Sequence, residues 1–262
     1  NEMGWTEPFE LDEVQILDTY YLAAQKSDIA FLKKMDTARL LAGFRTTAGI
    51  DTKGVRPYGG WEDSLLGGHC VGHYLTAIAQ AVKVTGDEEL KEKSQVLIEG
   101  LEECQRKLGT GFLFGAKVED KEDVEKQFDI LEGKKKGETW VPWYNMHKVL
   151  AGLIDTYKYT ENETALLIAE KLGDWIYERV SKWDLKTNQK VLETEYGGMN
   201  DCLYELYSYS HNKHHLEAAQ KFDEKALFLM AAKGEKNCLD GKHANTQIPK
   251  FIGAIKRYNV LK

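Results

Sequence analysis

Histidine and asparagine side chains recur at four places where a glycine-rich or aromatic segment leads into a helical pattern. The first place holds His69 and His73, whose spacing of four residues puts both imidazoles on one side of a helix. The other three places hold His147, Asn200 and His243. The dipole at a helix N-terminus disfavours a positive charge, so these imidazoles are expected to stay neutral. Neutral imidazoles suit hydrogen bonding to hydroxyl groups.

Aromatic side chains lie in the loops around these positions. A flat ring offers an apolar face to the C–H side of a sugar, while the polar tip of Tyr or Trp can still form a hydrogen bond. Together with the imidazoles they describe a pocket for a polyol, and carbohydrate is the natural ligand. The residues predicted to bind substrate are Trp61, His69, His73, Trp143, Tyr144, His147, Glu195, Asn200, His243 and Asn245.

Other interpretations of these residues stay open. His69 and His73 could hold zinc, but the Glu of an H-E-x-x-H motif is missing and spacing names no third ligand, so no metal is predicted in this chain. Carboxylates in or next to the same loops could support glycoside hydrolysis, which usually needs two carboxyl groups, or could cap the loop backbone. These are Glu62, Asp63, Glu195 and Asp201. No catalytic residue is assigned. Three further histidines, in a turn and early helix, are expected in solvent: His211, His214 and His215.

Helical hairpins must position these residues. Apolar residues at helical spacing predict a helix over 69–84 with a partner over 88–108, and similar pairs follow after Trp140 and after Glu195. A fourth helix begins after Gly241 and reaches the last residue without a partner. Breaks at Thr85, Thr160 and Ser210 indicate a repeat of roughly 50 residues, interrupted by a charged surface insertion over 109–139. Residues 11–44 are predicted to be helical, with an apolar side formed by Val14, Leu17, Tyr21 and Leu22.

Stacked hairpins can form an open solenoid or a closed (α/α) toroid. The toroid is favoured, because each loop that carries the aromatic and polar residues precedes the first helix of a pair. All of these loops would then lie at the same end of the toroid. The four first helices should then lie side by side and point the same way. His73, His147 and His243 should converge on one cavity walled by Trp61 or Trp143. Because the last helix lacks its hairpin partner, residues 1–262 are predicted to be the N-terminal portion of a larger domain. The exposed flank of the incomplete toroid could support a homodimer.

Composition narrows the class of protein. The chain has 262 residues, a net charge of -7 and only four prolines, which favours an all-α globular protein. No basic stripe suggests nucleic acid, and no apolar run suggests a membrane span. The four cysteines are widely spaced, as free thiols in a reducing compartment would be. No signal peptide is visible, although the chain opens at Asn1, and a cytoplasmic location is expected.

Five motifs carry a resemblance to a known family. They are PYGGWE at 57–62, GHCVGHYL at 68–75, YNMHK at 144–148, EYGGMN at 195–200 and HANTQIP at 243–249. In these motifs the chain resembles the bacterial β-L-arabinofuranosidase family of glycoside hydrolases. The resemblance implies an (α/α) toroid, retaining hydrolysis of arabinose-containing plant glycans, and a cysteine nucleophile on a zinc ion held by Cys and Glu, with a separate Glu as acid/base.

The catalytic part of that pattern is not matched here. In the family, the Glu and the zinc-binding cysteines follow HANTQIP, whereas this sequence ends thirteen residues after that motif. Only substrate-pocket roles carry over, to His69 or His73, His147 and His243. Zinc is therefore expected in a full-length family domain and not in this chain. The alternative is a non-catalytic helical-repeat protein that binds a glycan or a protein partner.

Overall fold

A computed structural model describes residues 8–118, 120–234 and 238–262, and all of its longer regular elements are α-helices. The all-α prediction is therefore confirmed for this part of the chain. The helices are α1 (Thr19–Lys34), α2 (Thr37–Thr47), α3 (His69–Thr85), α4 (Glu88–Leu108), α5 (Lys126–Leu131), α6 (Pro142–Thr160), α7 (Glu163–Val180), α8 (Leu185–Leu192), α9 (Met199–Ser210), α10 (Lys213–Lys221), α11 (Lys225–Ala232) and α12 (Ala244–Val260). None of the described helices is both long and apolar enough to cross a membrane.

Three tight turns of one design join the helices into hairpins. In each turn a residue in the left-handed region ends the first helix, and the next residue caps the second helix with its side chain. The left-handed residues are Gly86, Glu161 and His211. The capping residues are Asp87, Asn162 and Asn212. The breaks expected from the sequence are thus confirmed, and the repeat is real.

The first helices of the hairpins form an inner row of parallel neighbours, α3, α6, α9 and α12. Thr76 of α3 donates a hydrogen bond to Asp155 of α6, at 2.7 Å. The Asn200 amide of α9 donates to the Lys250 carbonyl of α12, at 3.1 Å. The second helices α4, α7 and α10 pack outside this row. Two concentric layers of parallel hairpins are the architecture of an (α/α) toroid, here as an arc.

Glycine sets the closeness of α3 and α6. A Cβ on Gly72 would overlap the backbone carbonyl of Lys148, and a Cβ on Gly152 would lie 2.5 Å from the Gly72 carbonyl oxygen. Backbones this close leave no room for even a methyl group. The contact places the first turn of α3 beside the first two turns of α6, where the candidate site lies.

The insertion over 109–139 is only partly a surface feature, which corrects the sequence prediction. Phe112 and Phe128 are fully buried and pack against Trp175, with ring centroids 4.6 and 5.3 Å away. The charged residues of the insertion surround Arg179, whose guanidinium bonds three carboxylates: Glu125, Asp129 and Glu132. The apolar residues of this segment pack against the core. Its carboxylates form an ion-pair network with Arg179 beside them.

Both flanks of the arc leave apolar side chains in contact with solvent. The expected apolar side of the first helical segment is not buried, since Leu17 and Tyr21 are 79% and 62% exposed and α1 buries no residue. On the opposite flank, α12 exposes a stripe at helical spacing that comprises Ile248, Ile252, Ile255 and Tyr258. Within the described part of the chain, no other residue covers these apolar side chains.

Candidate functional site

The candidate site lies at the end of the layers where α3, α6, α9 and α12 begin, which we call the mouth. The loop before α3 enters it through a short 3-10 helix, Gly60–Asp63. Asn145, which is fully buried in α6, donates hydrogen bonds to the carbonyls of Leu66 and Gly67. This amide fixes the glycine loop against α6. Asn145 belongs to the YNMHK motif, but this role was not predicted from the sequence.

Glu62 holds the start of α3 from inside the mouth. Its carboxylate is 8% exposed and accepts the backbone N–H groups of Gly68 at 2.9 Å and Cys70 at 3.1 Å. A carboxylate at this place compensates the helix dipole as well as satisfying free N–H groups. The hydrogen bonds that Glu62 accepts more than offset its burial, so its pKa lies below the ordinary value. Glu62 is thus an ionised capping group and is not suited to act as a general acid.

His69 is charged, which corrects the expectation of neutral imidazoles throughout. Its Nδ1 lies 2.7 Å from Glu62 Oε1 and 2.9 Å from the Leu66 carbonyl oxygen, so Nδ1 carries a proton. Burial alone would lower the pKa of His69, but the Cys70 and Glu62 side chains raise it to about 10. The Glu62 carboxylate therefore outweighs the helix dipole that the sequence argument relied on.

Three rings surround His69 at the mouth. Its ring centroid lies 6.4 Å from that of Trp61, 6.1 Å from that of His73 and 6.4 Å from that of Tyr144. Trp61 is 67% exposed, and His73 also faces solvent. Burial of part of the ring, followed by the charges of Lys148 and His69, lowers the pKa of His73. His73 is thus a neutral, accessible imidazole beside a charged one.

Lys148 adds a cation that sequence reasoning missed. Its ammonium group lies 4.6 Å from the centre of the Tyr144 ring, and its burial lowers the pKa of the amine. Glu195, in the loop between α8 and α9, lies near enough to act on both Tyr144 and Lys148 electrostatically. A carboxylate therefore lies near each of these two cations: Glu62 pairs with His69, and Glu195 acts on Lys148 electrostatically.

His147 is buried under this surface and acts on the backbone of the third loop. Its Nδ1 accepts the N–H of Gly198 at 3.0 Å, which leaves the ring proton on Nε2. Burial, followed by the charge of Lys148, holds the pKa of His147 well below its ordinary value, so the ring is neutral as expected. A Cβ on Gly197 would lie 2.5 Å from this ring, so the imidazole fills space that only glycine leaves open.

Two predicted site residues are buried away from the mouth surface. Trp143 is 1% exposed and packs edge-on against Phe128 and Phe222 in the core, so it walls no cavity. Asn200 is fully buried and donates to Asp223 Oδ1 at 3.3 Å as well as to Lys250. It links α9 to α12.

His243 does not join the other histidines. It is exposed at the start of α12, with Nδ1 3.0 Å from the hydroxyl of Thr246, and none of its described contacts involves His73 or His147. Asn245 is exposed beside it. Thr246 lines a separate cleft of about 850 Å³ between α8, α11 and α12, which Trp183 and Asn188 also line. The described contacts therefore do not bring His243 together with His73 and His147.

The three histidines expected in solvent differ from one another. His211 and His214 are exposed, as predicted, and His214 stacks on Tyr177 with ring centroids 4.0 Å apart. His215, by contrast, is 1% exposed. Its two ring nitrogens lie 2.8 Å from Ser210 Oγ and 3.2 Å from Asp174 Oδ1. This histidine joins the α9–α10 turn to α7, and the solvent prediction for it is wrong.

The described residues bring together one trio of metal-binding type, namely Glu62, His69 and Cys70, with their ligand atoms within 4.8 Å of one another. Both oxygens of Glu62 already accept N–H groups, and Nδ1 of His69 already faces two acceptors. The trio is satisfied by its own hydrogen bonds and holds a single thiol. It does not fit the zinc site with cysteine and glutamate ligands that the resemblance implies.

The chain is similar to a known protein family and to a solved structure. A family model described as the β-L-arabinofuranosidase, GH127 catalytic domain, matches residues 13–262. No curated protein matches the chain. Among solved structures, the chain is similar to a GH127 β-L-arabinofuranosidase from Geobacillus stearothermophilus T6, with 18% identity and a TM-score of 0.49. That alignment covers 83% of this chain and 32% of the other, so this chain spans about a third of the solved relative's length.

Proposed function

Because the chain belongs to the GH127 β-L-arabinofuranosidase catalytic domain family, we propose that its mouth binds an L-arabinofuranose-type sugar as the sugar-binding part of a glycoside hydrolase. The observation that carries the proposal is the convergence of Trp61, His69, His73 and Tyr144 on one surface. Aromatic faces and polar ring nitrogens are the groups that proteins use together on sugars.

The charge balance of the mouth supports a neutral ligand. Glu62 neutralises His69, Glu195 lies near Lys148, and His73 and His147 are neutral. A ligand with its own charge would have to be desolvated against groups that are already paired, at a cost in free energy. A sugar needs only donors and acceptors, and it can use His73 and the Tyr144 hydroxyl while one face covers the Trp61 ring.

The residues then divide into those that touch the sugar and those that support the surface. Trp61, His73, Tyr144 and Lys148 are the contacting group, because they combine reach with exposure at the mouth. Glu62 and His147 are the supporting group, because both hold loop backbone from beneath. Hydrolysis would additionally require an acid/base and a nucleophile, and Glu62 is committed to capping α3.

Isothermal titration of methyl β-L-arabinofuranoside into the chain tests this assignment. His73→Ala should weaken binding by about three- to tenfold, the equivalent of one lost hydrogen bond. The melting temperature should hardly change, because the His73 side chain is exposed. His214→Ala is the matched control, since that histidine is also exposed but lies near the α9–α10 turn. Equal affinities for the two variants would contradict the proposal.

A further inference from the structure

The four cysteines differ sharply in their surroundings. Cys104 and Cys202 are 0% and 3% exposed, and burial raises the pKa of Cys104 to about 12 and that of Cys202 well above its ordinary value. Cys70 and Cys238 are both partly exposed. Since only an accessible thiolate reacts with an electrophile, these two are the candidates for covalent chemistry.

Cys70 has the charged His69 imidazole beside it, and His69 has a carboxylate behind it. The sulfur lies 3.8 Å from Nε2 of His69, and the other ring nitrogen lies 2.7 Å from Glu62 Oε1. A thiol beside an imidazolium that a carboxylate holds in place is an arrangement that stabilises the reactive thiolate, and we call Cys70, His69 and Glu62 the triad. Glu62 and His69 are each only 8% exposed, so both partners are held in place.

The position of Cys70 in the helix also favours the thiolate. It is the second residue of α3, which runs for 17 residues from His69. The positive end of the helix dipole favours a negatively charged sulfur over a neutral thiol. Cys70 is itself partly exposed, and Trp61 and Tyr144 both lie beside the neighbouring His69 ring, so the thiol belongs to the mouth.

We propose that Cys70 is a reactive thiol and a site of covalent modification by small disulfides and alkylating agents at the mouth. The Sγ proton of Cys70 passes to solvent, and the charged His69 imidazole stabilises the thiolate that is left. The thiolate then attacks one sulfur of a small disulfide, so that a new S–S bond forms and the old one breaks. The departing thiolate takes up a proton from solvent, and His69 stays charged throughout. Cys70 is oxidised and the departing sulfur is reduced, which balances the exchange.

Cys238 provides a matched control within the same chain. It is also partly exposed, yet it forms no hydrogen bond with the described residues. Alkylation of the intact protein by iodoacetamide, followed by peptide mass spectrometry, measures both rates in one sample. We expect Cys70 to react about tenfold faster than Cys238 at pH 6.5. The ratio should shrink toward one in urea, where the triad is lost.

Two further measurements separate the triad from simple exposure. His69→Gln should bring the rate of Cys70 at pH 6.5 down to that of Cys238. Oxidised glutathione should form a mixed disulfide at Cys70 before Cys238 in the wild-type protein. A native rate ratio near one at pH 6.5 in the wild type would overturn the proposal, whatever the variant does. None of these tests involves a sugar, so their outcome is independent of the proposed function.

Discussion

Replacement of Glu62 by Gln tests how the mouth is built. The carboxylate accepts two backbone N–H groups at the start of α3 and pairs with the charged His69. The amide of Gln can accept at only one atom, and its NH₂ group would face donors. Each charge-assisted hydrogen bond is worth about 1.5–3 kcal/mol, and an orphaned buried partner costs more. We therefore expect Glu62→Gln to lower the free energy of unfolding by about 3–4 kcal/mol.

Urea unfolding at pH 7, followed by far-ultraviolet circular dichroism, measures this change. Asp63→Asn is the matched control, because Asp63 is the adjacent acid, its side chain is 54% exposed and its nearest cation is Arg56 at 3.6 Å. An exposed pair of this kind contributes about 0–1 kcal/mol. If the two variants unfold within about 0.5 kcal/mol of each other, Glu62 is not the internal cap that we describe.

Three other predictions follow from the same structure. The folded pKa of His69 is raised to about 10 and that of Glu62 is lowered from 4.5. The stability contributed by the Glu62–His69 pair should therefore be complete between about pH 4.5 and pH 6.5 and disappear as the pH rises toward 10. The difference in unfolding free energy between wild type and Glu62→Gln, measured across this range, reports it. Gly72→Ala should cost about 3 kcal/mol in urea unfolding, because the new methyl group meets the α6 backbone, whereas Gly59→Ala, with open space around it, should cost little. The exposed stripe on α12 should support a homodimer, and light scattering should show Ile252→Lys to be monomeric under conditions where the wild type is dimeric.

The sequence predicted the repeat well because each turn of the repeat depends only on residues that are adjacent in the chain. A left-handed residue followed by Asp or Asn needs no tertiary context, and the turns at Gly86, Glu161 and His211 all carry this signal. The direction of the inner helices followed from the same turns. The buried part of the insertion was missed, because its charges outnumber the few apolar residues around Phe112 that seal the core.

The candidate site was predicted only in part, because spacing along a helix does not say which face meets the mouth. Helix α6 begins at Pro142, five residues before His147. Its rotation sends Trp143 into the core while the next residue, Tyr144, reaches the mouth. Asn200 was likewise taken for a ligand and is a link between helices.

Protonation could not be read from the sequence either. The helix dipole predicted neutral imidazoles, and this holds for His147 because the ring is buried and accepts a backbone N–H. It fails for His69, because Glu62 comes close only in the folded chain. A contact across a loop of this kind outweighs the dipole, and only the three-dimensional structure shows it.

A crystal structure of the protein soaked with methyl β-L-arabinofuranoside tests the central claim most directly. The account predicts sugar density at the mouth over α3 and α6, with one face on Trp61 and hydroxyl groups near His73 and Tyr144. Sugar bound instead in the cleft beside Trp183 and Asn188, with the surface around His73 left bare, would contradict it.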